Sequence, residues 1–234
     1  MKKRSKMKRM KKKALRMSNH LLTDFLGDPN LGLFGFATDK YCLLGEGLKH
    51  YNEIEDVLGV KVIKTRILGT NLVGIFSAGN SKGVVVPSLA YDYEIENLRK
   101  ELNVLVLESE YTALGNLILV NDNGCVLSPL LKKHKEELEK FFGVKCRVMK
   151  ITKLNVVGSA AIANRHGCLV HPNTTDEEGE IIKKILKVKN VDVGTANFGS
   201  PFIGAGIIAN SKGFLTSYHT TGPEMARIDE VLFK

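Results

Sequence analysis

The sequence predicts an α/β fold made of five copies of one unit, closed into a ring. Three observations carry this. Glycine recurs at positions 32, 74, 115, 158 and 204, with spacings of 42, 41, 43 and 46 residues. Six residues after each glycine comes a turn residue (Thr38, Asn80, Asn121, Asn164, Asn210), and three later a second glycine (Gly83, Gly124, Gly167, Gly213), with Tyr41 in its place in the first copy. Around these marks the chain divides into strand, hairpin and helix five times, with nothing left over. A unit of this length cannot bury its own apolar face and must stack on neighbours. A whole number of units lets the last pack on the first, which removes exposed ends.

The chain begins with a run of charge. Residues 1–16 hold ten Lys/Arg and no acid, which leaves 24 bases against 25 acids in the rest of a chain whose net charge is +9. The body is therefore close to neutral, and residues 1–19 form a basic extension expected to be disordered in isolation and suited to phosphate backbones. Two readings of it stay open: a genuine extension, or an upstream start with Met17 as the true first residue. Residues 20–234 are expected to form a single domain.

His20–Leu26 is the first strand candidate, and Gly27-Asp28-Pro29-Asn30 breaks it. Hairpin one spans Leu31–Leu44. Tyr51–Leu58 is helical in pattern and Lys61–Ile67 alternates as a half-buried strand. Hairpin two (Leu72–Pro87) leads to a helix over Asp92–Leu102, with Ile95, Leu98 and Leu102 on one face. Val104–Leu107 precedes hairpin three, Thr112–Leu127, which reads TALGNLILVNDNGCVL. Its two apolar runs flank Asn121-Asp122-Asn123-Gly124, where Asn and Asp bond their own backbone and Gly124 is expected to supply a positive φ. Tyr41 in that place predicts a different turn in hairpin one. Ser128-Pro129 opens a charged helix to Phe142, and Val144–Ile151 is a strand before hairpin four, Val156–Pro172. Thr175 to Glu178 and Thr221 to Glu224 have capping-box spacing at the starts of the last two helices. Between these helices lie the strand Val191–Gly194 and hairpin five, Phe202–Ser217.

No run approaches the ~20 apolar residues of a membrane span, and a cytoplasmic protein is expected. Cys42, Cys125, Cys146 and Cys168 lie far apart with no C-x-x-C pair and are expected to be reduced. No cofactor or metal is expected. His171 has no second His at ligand spacing and is expected to cap backbone. Gly204-Ala205-Gly206-Ile207-Ile208-Ala209 matches a dinucleotide fingerprint only formally, because it runs into a hairpin turn and does not open a helix.

Within this frame the wording is specific: Thr112-Ala113-Leu114-Gly115-Asn116, Leu169-Val170-His171-Pro172, Gly194-Thr195-Ala196-Asn197, Ile208-Ala209-Asn210-Ser211-Lys212-Gly213 and Thr220-Thr221-Gly222-Pro223-Glu224. Over about residues 20–233 it resembles the translation initiation factor six family, whose fold is the pentein, a five-bladed α-β propeller with pseudo-fivefold symmetry. The chain stops after its last helix, as archaeal members do. The basic extension and the eroded first repeat depart from the pattern, as does His219, where an acid is expected.

The resemblance implies a monomeric protein that is not an enzyme. It implies binding to the large ribosomal subunit at its intersubunit face, near protein uL14 and the sarcin–ricin loop, so that the small subunit cannot join. It further implies release by other factors, including an elongation-factor-like GTPase and its cofactor protein. The alternative is a guanidino-group-modifying pentein enzyme, a hydrolase or amidinotransferase. Those enzymes carry a Cys nucleophile in the last blade, and blade five here has no cysteine. The candidate partner-binding residues lie where repeats open: Asn71, Leu72, Leu114, Asn116, Asn155, Val156 and Phe202. Lys2, Lys3, Arg4, Lys11, Lys12 and Lys13 of the extension are the candidates for rRNA backbone.

Overall fold

The structure, a computed structural model, describes residues 19–48 and 50–234. Residues 1–18, with the six candidate rRNA-binding residues, lie outside the described residues. The short apolar runs form strands numbered in chain order: β1 (His20–Leu22), β2 (Gly35–Ala37), β3 (Tyr41–Gly45), β4 (Lys61–Thr65), β5 (Ala78–Asn80), β6 (Gly83–Pro87), β7 (Val104–Leu107), β8 (Ile118–Val120), β9 (Cys125–Leu127), β10 (Cys146–Val148), β11 (Ala161–Ala163), β12 (Gly167–Val170), β13 (Asn190–Val193), β14 (Ile208–Ala209) and β15 (Phe214–Thr216). The main helices, one per repeat, are α1 (Tyr51–Leu58), α2 (Asp92–Arg99), α3 (Lys135–Phe142), α4 (Asp176–Leu186) and α5 (Gly222–Phe233).

Among the described residues the strands form five three-stranded sheets, the pseudo-fivefold pentein arrangement. In the first four repeats the second strand of each antiparallel hairpin pairs in parallel with the strand that follows the next helix, as in β2-β3-β4 and β5-β6-β7. The expected strand–hairpin–helix unit is thus divided between neighbouring sheets. Hairpin five takes its third strand from the other end of the chain: β1 pairs with β15, with His20 opposite Phe214 and Leu22 opposite Thr216. Asn19 Nδ2 also donates to Asp229 Oδ1 of α5 at 2.6 Å. The ring closes through this junction.

The recurrent glycines line the axis. A Cβ on Gly74 would overlap the carbonyl oxygen of Gly32; likewise Gly115 with Gly74, Gly158 with Gly115, Gly204 with Gly158, and Gly32 with Gly204. Each blade therefore rests backbone-on-backbone against its neighbour. The residue before each glycine (Leu31, Val73, Leu114, Val157, Ile203) is fully buried.

The turn asparagines join the blades at the other end of the hairpins. Asn121 Nδ2 donates to Asn164 O (2.9 Å) and Leu186 O (3.0 Å), so one amide holds the next turn and caps a carbonyl at the end of the helix that follows that turn. Asn164 does the same to Asn210 O and Leu232 O, Asn210 to Thr38 O and Leu58 O, and Asn80 to Asn121 O and Phe142 O. Their Oδ1 atoms accept from their own turn amides. These buried amides are satisfied on both sides, as burial demands.

Blade one differs. Thr38 has no amide to send across, and its Oγ1 is used within its own turn. Tyr41 Oη instead donates to Gly83 O of blade two at 2.9 Å. The different turn expected there is not found: Thr38 N bonds Tyr41 O just as Asn121 N bonds Gly124 O. Gly83, Gly124, Gly167 and Gly213 are not among the positive-φ glycines. Close approach explains them, since a Cβ on Gly124 or Gly167 would overlap Ile185 O or Val231 O.

Several elements are shorter than their patterns predict. Phe25, Ile67 and Ile151 show the cause: each leaves its strand to close a tight turn, with Asp28, Thr70 and Leu154 respectively. Ser128-Pro129 opens a 3₁₀ segment (Pro129–His134) before α3. The small-residue segments that open repeats two, three and five coil into one helical turn at Val73–Phe76, Leu114–Leu117 and Ile203–Gly206.

Candidate functional site

Parallel pairing of the strands on either side of α1 to α4 gives the ring two unlike ends. At one, the turn end, lie the hairpin turns and the C-termini of the helices, joined by the asparagine amides. At the other, the lead-in end, lie the loops into each repeat and the N-termini of the helices.

The lead-in loops of repeats one, two, four and five are tight and strained. Leu26-Gly27 and Leu68-Gly69 place both central residues at positive φ, with each leucine at 55°. Thr152 (49°) and Lys153 (70°) make the corresponding loop of repeat four, and Asn197 (51°), Phe198 (61°) and Gly199 (95°) that of repeat five. A bulky residue in this region is uncommon and costs about 1–3 kcal/mol, so something must hold it.

Carboxylates do so. In repeat one Asp24 Oδ1 accepts from Gly27 N at 2.8 Å. In repeats two, four and five the acid is a glutamate at the third position of a helix. Glu94, buried, accepts from Leu68 N (2.9 Å), Gly69 N (2.8 Å) and Tyr91 N (3.1 Å). Glu178, half-buried, accepts from Thr152 N and Thr175 N. Glu224, buried, is the most engaged: its oxygens accept from Thr195 Oγ1 (2.8 Å), Gly199 N (2.8 Å), Phe198 N (3.3 Å), Thr221 N (2.7 Å) and Thr221 Oγ1 (2.9 Å). Burial by itself would raise the Glu224 carboxyl. The amides of Thr221 and Gly199 and the hydroxyls of Thr195 and Thr221 outweigh it and hold the group below the usual carboxylate range. Capping-box spacing marks Glu178 and Glu224 as helix starts. It does not show that the same carboxylates clamp a neighbouring loop.

The clamped loops present apolar side chains to solvent. Phe198 is 83% exposed and Leu26 74%. The other large apolar residues exposed among the described residues (Leu89, Tyr91, Tyr93, Tyr111, Val193, Phe202, Tyr218) also belong to lead-in loops, to strand ends that feed them, or to the segments that start helices. All nine are thus at the lead-in end. Tyr91 and Tyr93 stack at 5.7 Å. Isolated exposed apolar residues need no explanation; their collection on one end makes that end the candidate contact surface.

The candidate residues divide against this geometry. Leu114 is fully buried in the core, because it takes the position buried in every repeat; the expectation of a surface contact there is corrected. Asn71, Leu72, Asn155 and Val156 are half-buried at the lead-in end, and Phe202 is exposed there. Asn71 Oδ1 accepts from Glu46 N at 3.1 Å, and the Asn155 Oδ1 is buried with no partner among the described residues. Asn116 joins blades three and four: its Oδ1 accepts from Ser159 Oγ and its carbonyl from Gly158 N, both at 2.9 Å. Sequence reasoning missed Leu26, Phe198 and the tyrosines of blade two, whose exposure depends on turns that only the fold defines.

Cys42, Cys125 and Cys168 do not have the chemistry of an activated thiol. All four cysteines are free and buried. Burial pushes the Cys42 thiol up to about 12 and raises Cys168 further; Cys125 is raised by its bond to Cys146 and by burial. A thiol needs the opposite shift to react. Among the described residues no group of three or more His, Cys, Asp or Glu is placed to hold a metal. His171 Nδ1 accepts from Asn173 N at 3.1 Å, the backbone-capping role expected, and burial lowers its pKa. No helix of the described residues is long and apolar enough to cross a membrane.

A family model described as the eIF-6 family matches residues 21–231. Translation initiation factor 6 of Thermococcus onnurineus is 41% identical over 219 residues, which is 89% of this chain and 96% of that protein. The same-named protein of Pyrococcus horikoshii is 40% identical with the same coverage. That of Methanocaldococcus jannaschii is 39% identical over 217 residues, 89% of this chain and 95% of its own. The relatives carry the names of initiation factors, not of enzymes.

Proposed function

The chain belongs to the eIF-6 family, and from that membership we propose that it binds the large ribosomal subunit through the lead-in end of its ring and blocks joining of the small subunit. The observation that carries this is the placement at that end of all nine large apolar side chains exposed among the described residues. A rigid apolar surface with a polar rim suits a standard protein interface of ~1,600 Å². Asn71, Leu72, Asn155, Val156 and Phe202 fall within this surface, with Leu26 and Phe198 at its most projecting points. Asn116 contributes by fixing the angle between blades three and four. The partners are protein uL14 and the sarcin–ricin loop region of rRNA, with release by an elongation-factor-like GTPase and its cofactor protein. The protein acts as a stoichiometric cytoplasmic monomer: it occupies a surface and performs no chemistry.

The test is subunit reassociation on a sucrose gradient, with inhibition saturating near one protein per large subunit. Leu26→Ser/Phe198→Ser should lose co-sedimentation with large subunits while keeping the thermal transition. Unchanged co-sedimentation by this variant would remove the lead-in end as the contact. Turnover of arginine or agmatine by the purified protein would overturn the reading altogether.

A further inference from the structure

The turn end has its own unusual feature, at the end of α4. Helices α1 and α3 stop at glycines held in the left-handed region, Gly59 (φ 60°) and Gly143 (φ 65°). The same position after α4 is Lys187, at φ 50° and ψ 45°. Glycine adopts this conformation without steric cost and is the usual choice there. A lysine retained in it is a strained residue whose side chain is displayed at the turn end.

Lys187 is one of four lysines in seven residues, with Lys183, Lys184 and Lys189. Lys184, Lys187 and Lys189 are exposed and Lys183 is half-buried. Among the described residues none of the four forms an ion pair, whereas Lys61, Lys145, Arg165 and Arg227 each have a carboxylate partner. The nearest acid before them in sequence is Glu180, one turn ahead of Lys184. The segment sits between two hairpin turns: Asn121 Nδ2 donates to Leu186 O, and Lys189 N to His166 O at 2.8 Å, so exposed His166 adjoins the cluster. Asn19 also lies at this end, where Phe214 N donates to its carbonyl at 2.9 Å.

We propose that the lysines at the end of α4, centred on Lys187, form a second interaction surface that takes the phosphate backbone of RNA. Four unpaired cations in seven residues match closely spaced phosphates, and binding there releases condensed counterions. The surface lies opposite the lead-in end, so the protein can hold a partner on one side and RNA on the other. A helix-dipole role alone would also favour lysines here, but it does not require a lysine at the one position where strain favours glycine. The inference stands apart from the ribosome reading, because RNA alone is the probe.

The test is fluorescence anisotropy of the full chain with a labelled 20-nucleotide RNA hairpin, titrated from 50 to 300 mM KCl. Lys184→Gln/Lys187→Gln/Lys189→Gln should lower the salt slope by about 2–3, at roughly 0.7–0.9 for each phosphate no longer neutralised. Lys61→Gln/Lys64→Gln/Lys100→Gln, with the same charge change on exposed residues of β4 and the end of α2, away from both proposed surfaces, should leave the slope near that of the native chain. Lys187→Gly separates function from folding: its Tm should rise while its RNA affinity falls. An unchanged slope in the first variant, an equal effect in the control, or undiminished affinity of Lys187→Gly would overturn the proposal. Competition by poly-glutamate as effective as by RNA would reassign the surface to an acidic polypeptide.

Discussion

Glu224→Gln removes one charge from the best-connected side chain at the lead-in end and leaves its shape intact. Five donors converge on the carboxylate, three of them backbone amides. An amide keeps one acceptor oxygen and turns an NH₂ toward donors, so whichever way it is oriented, Gly199 N–H or Thr221 N–H loses its acceptor. Hydrogen bonds to charged groups contribute about 1.5–3 kcal/mol against about 0.5–1.5 for neutral ones, and a buried orphan costs about 1–3. One orphaned amide plus the weakening of the remaining bonds gives a destabilisation of about 2–4 kcal/mol. For a chain of this size that lowers Tm by roughly 5–15 °C. Because the folded pKa of Glu224 lies below its unfolded value, its contribution is complete above about pH 4.5 and disappears as pH falls through the folded pKa. The difference between native and variant protein should therefore shrink below that pH. Thermal unfolding from pH 3 to 7 measures this, and hydrogen exchange should show faster opening at the Phe198 and Gly199 amides. A stability difference that is flat across that range, or unchanged protection of those two amides, would refute the clamp.

Three other outcomes are expected. Asn164→Ala removes two inter-blade bonds and leaves the Asn210 and Leu232 carbonyls without this donor, which should cost about 2–4 kcal/mol in denaturant unfolding; Tyr41→Phe, losing a single bond to Gly83 O, should cost about 1–2 kcal/mol. His171 is held neutral by burial, so its stabilising effect should be complete above pH ~6.5 and fall away as pH drops toward its lowered folded pKa, a decline that His171→Gln should not show in calorimetry. Deleting residues 1–16 should flatten the salt dependence of large-subunit binding while selectivity over the small subunit persists; disappearance of selectivity with the deletion would show that recognition lies in the extension.

The repeat was legible because its cause is local. Gly32, Gly74, Gly115, Gly158 and Gly204 recur wherever backbones meet at the axis, and no larger residue fits, so the spacing records the geometry directly. The turn glycines were legible as marks but not in their reason. A positive φ and a helix carbonyl pressed against Gly124 leave the same letter in the sequence. Leu114 shows the corresponding limit for the contact surface: it stands in the most family-like motif, yet its position relative to Gly115 buries it. Phe198 and Leu26 were hidden for the opposite reason. Apolar residues near Gly are ordinary core candidates until a left-handed turn projects them outward, and for Phe198 the carboxylate that holds the turn lies 26 residues later.

The junction of β1 with β15 has a consequence for how the protein is made. About 190 residues separate the two strands, and at about 5–20 residues per second a ribosome takes roughly 10–40 s to produce the second after the first. During that time β1 has no sheet to join, while the blades between can assemble in order on their own hairpins. The last step of biogenesis is then a mating of the oldest and newest parts of the chain. Cutting the ring at another hairpin turn and splicing the old termini through a linker would make β1 and β15 neighbours in synthesis, and such a circular permutant should reach its folded state with that wait abolished.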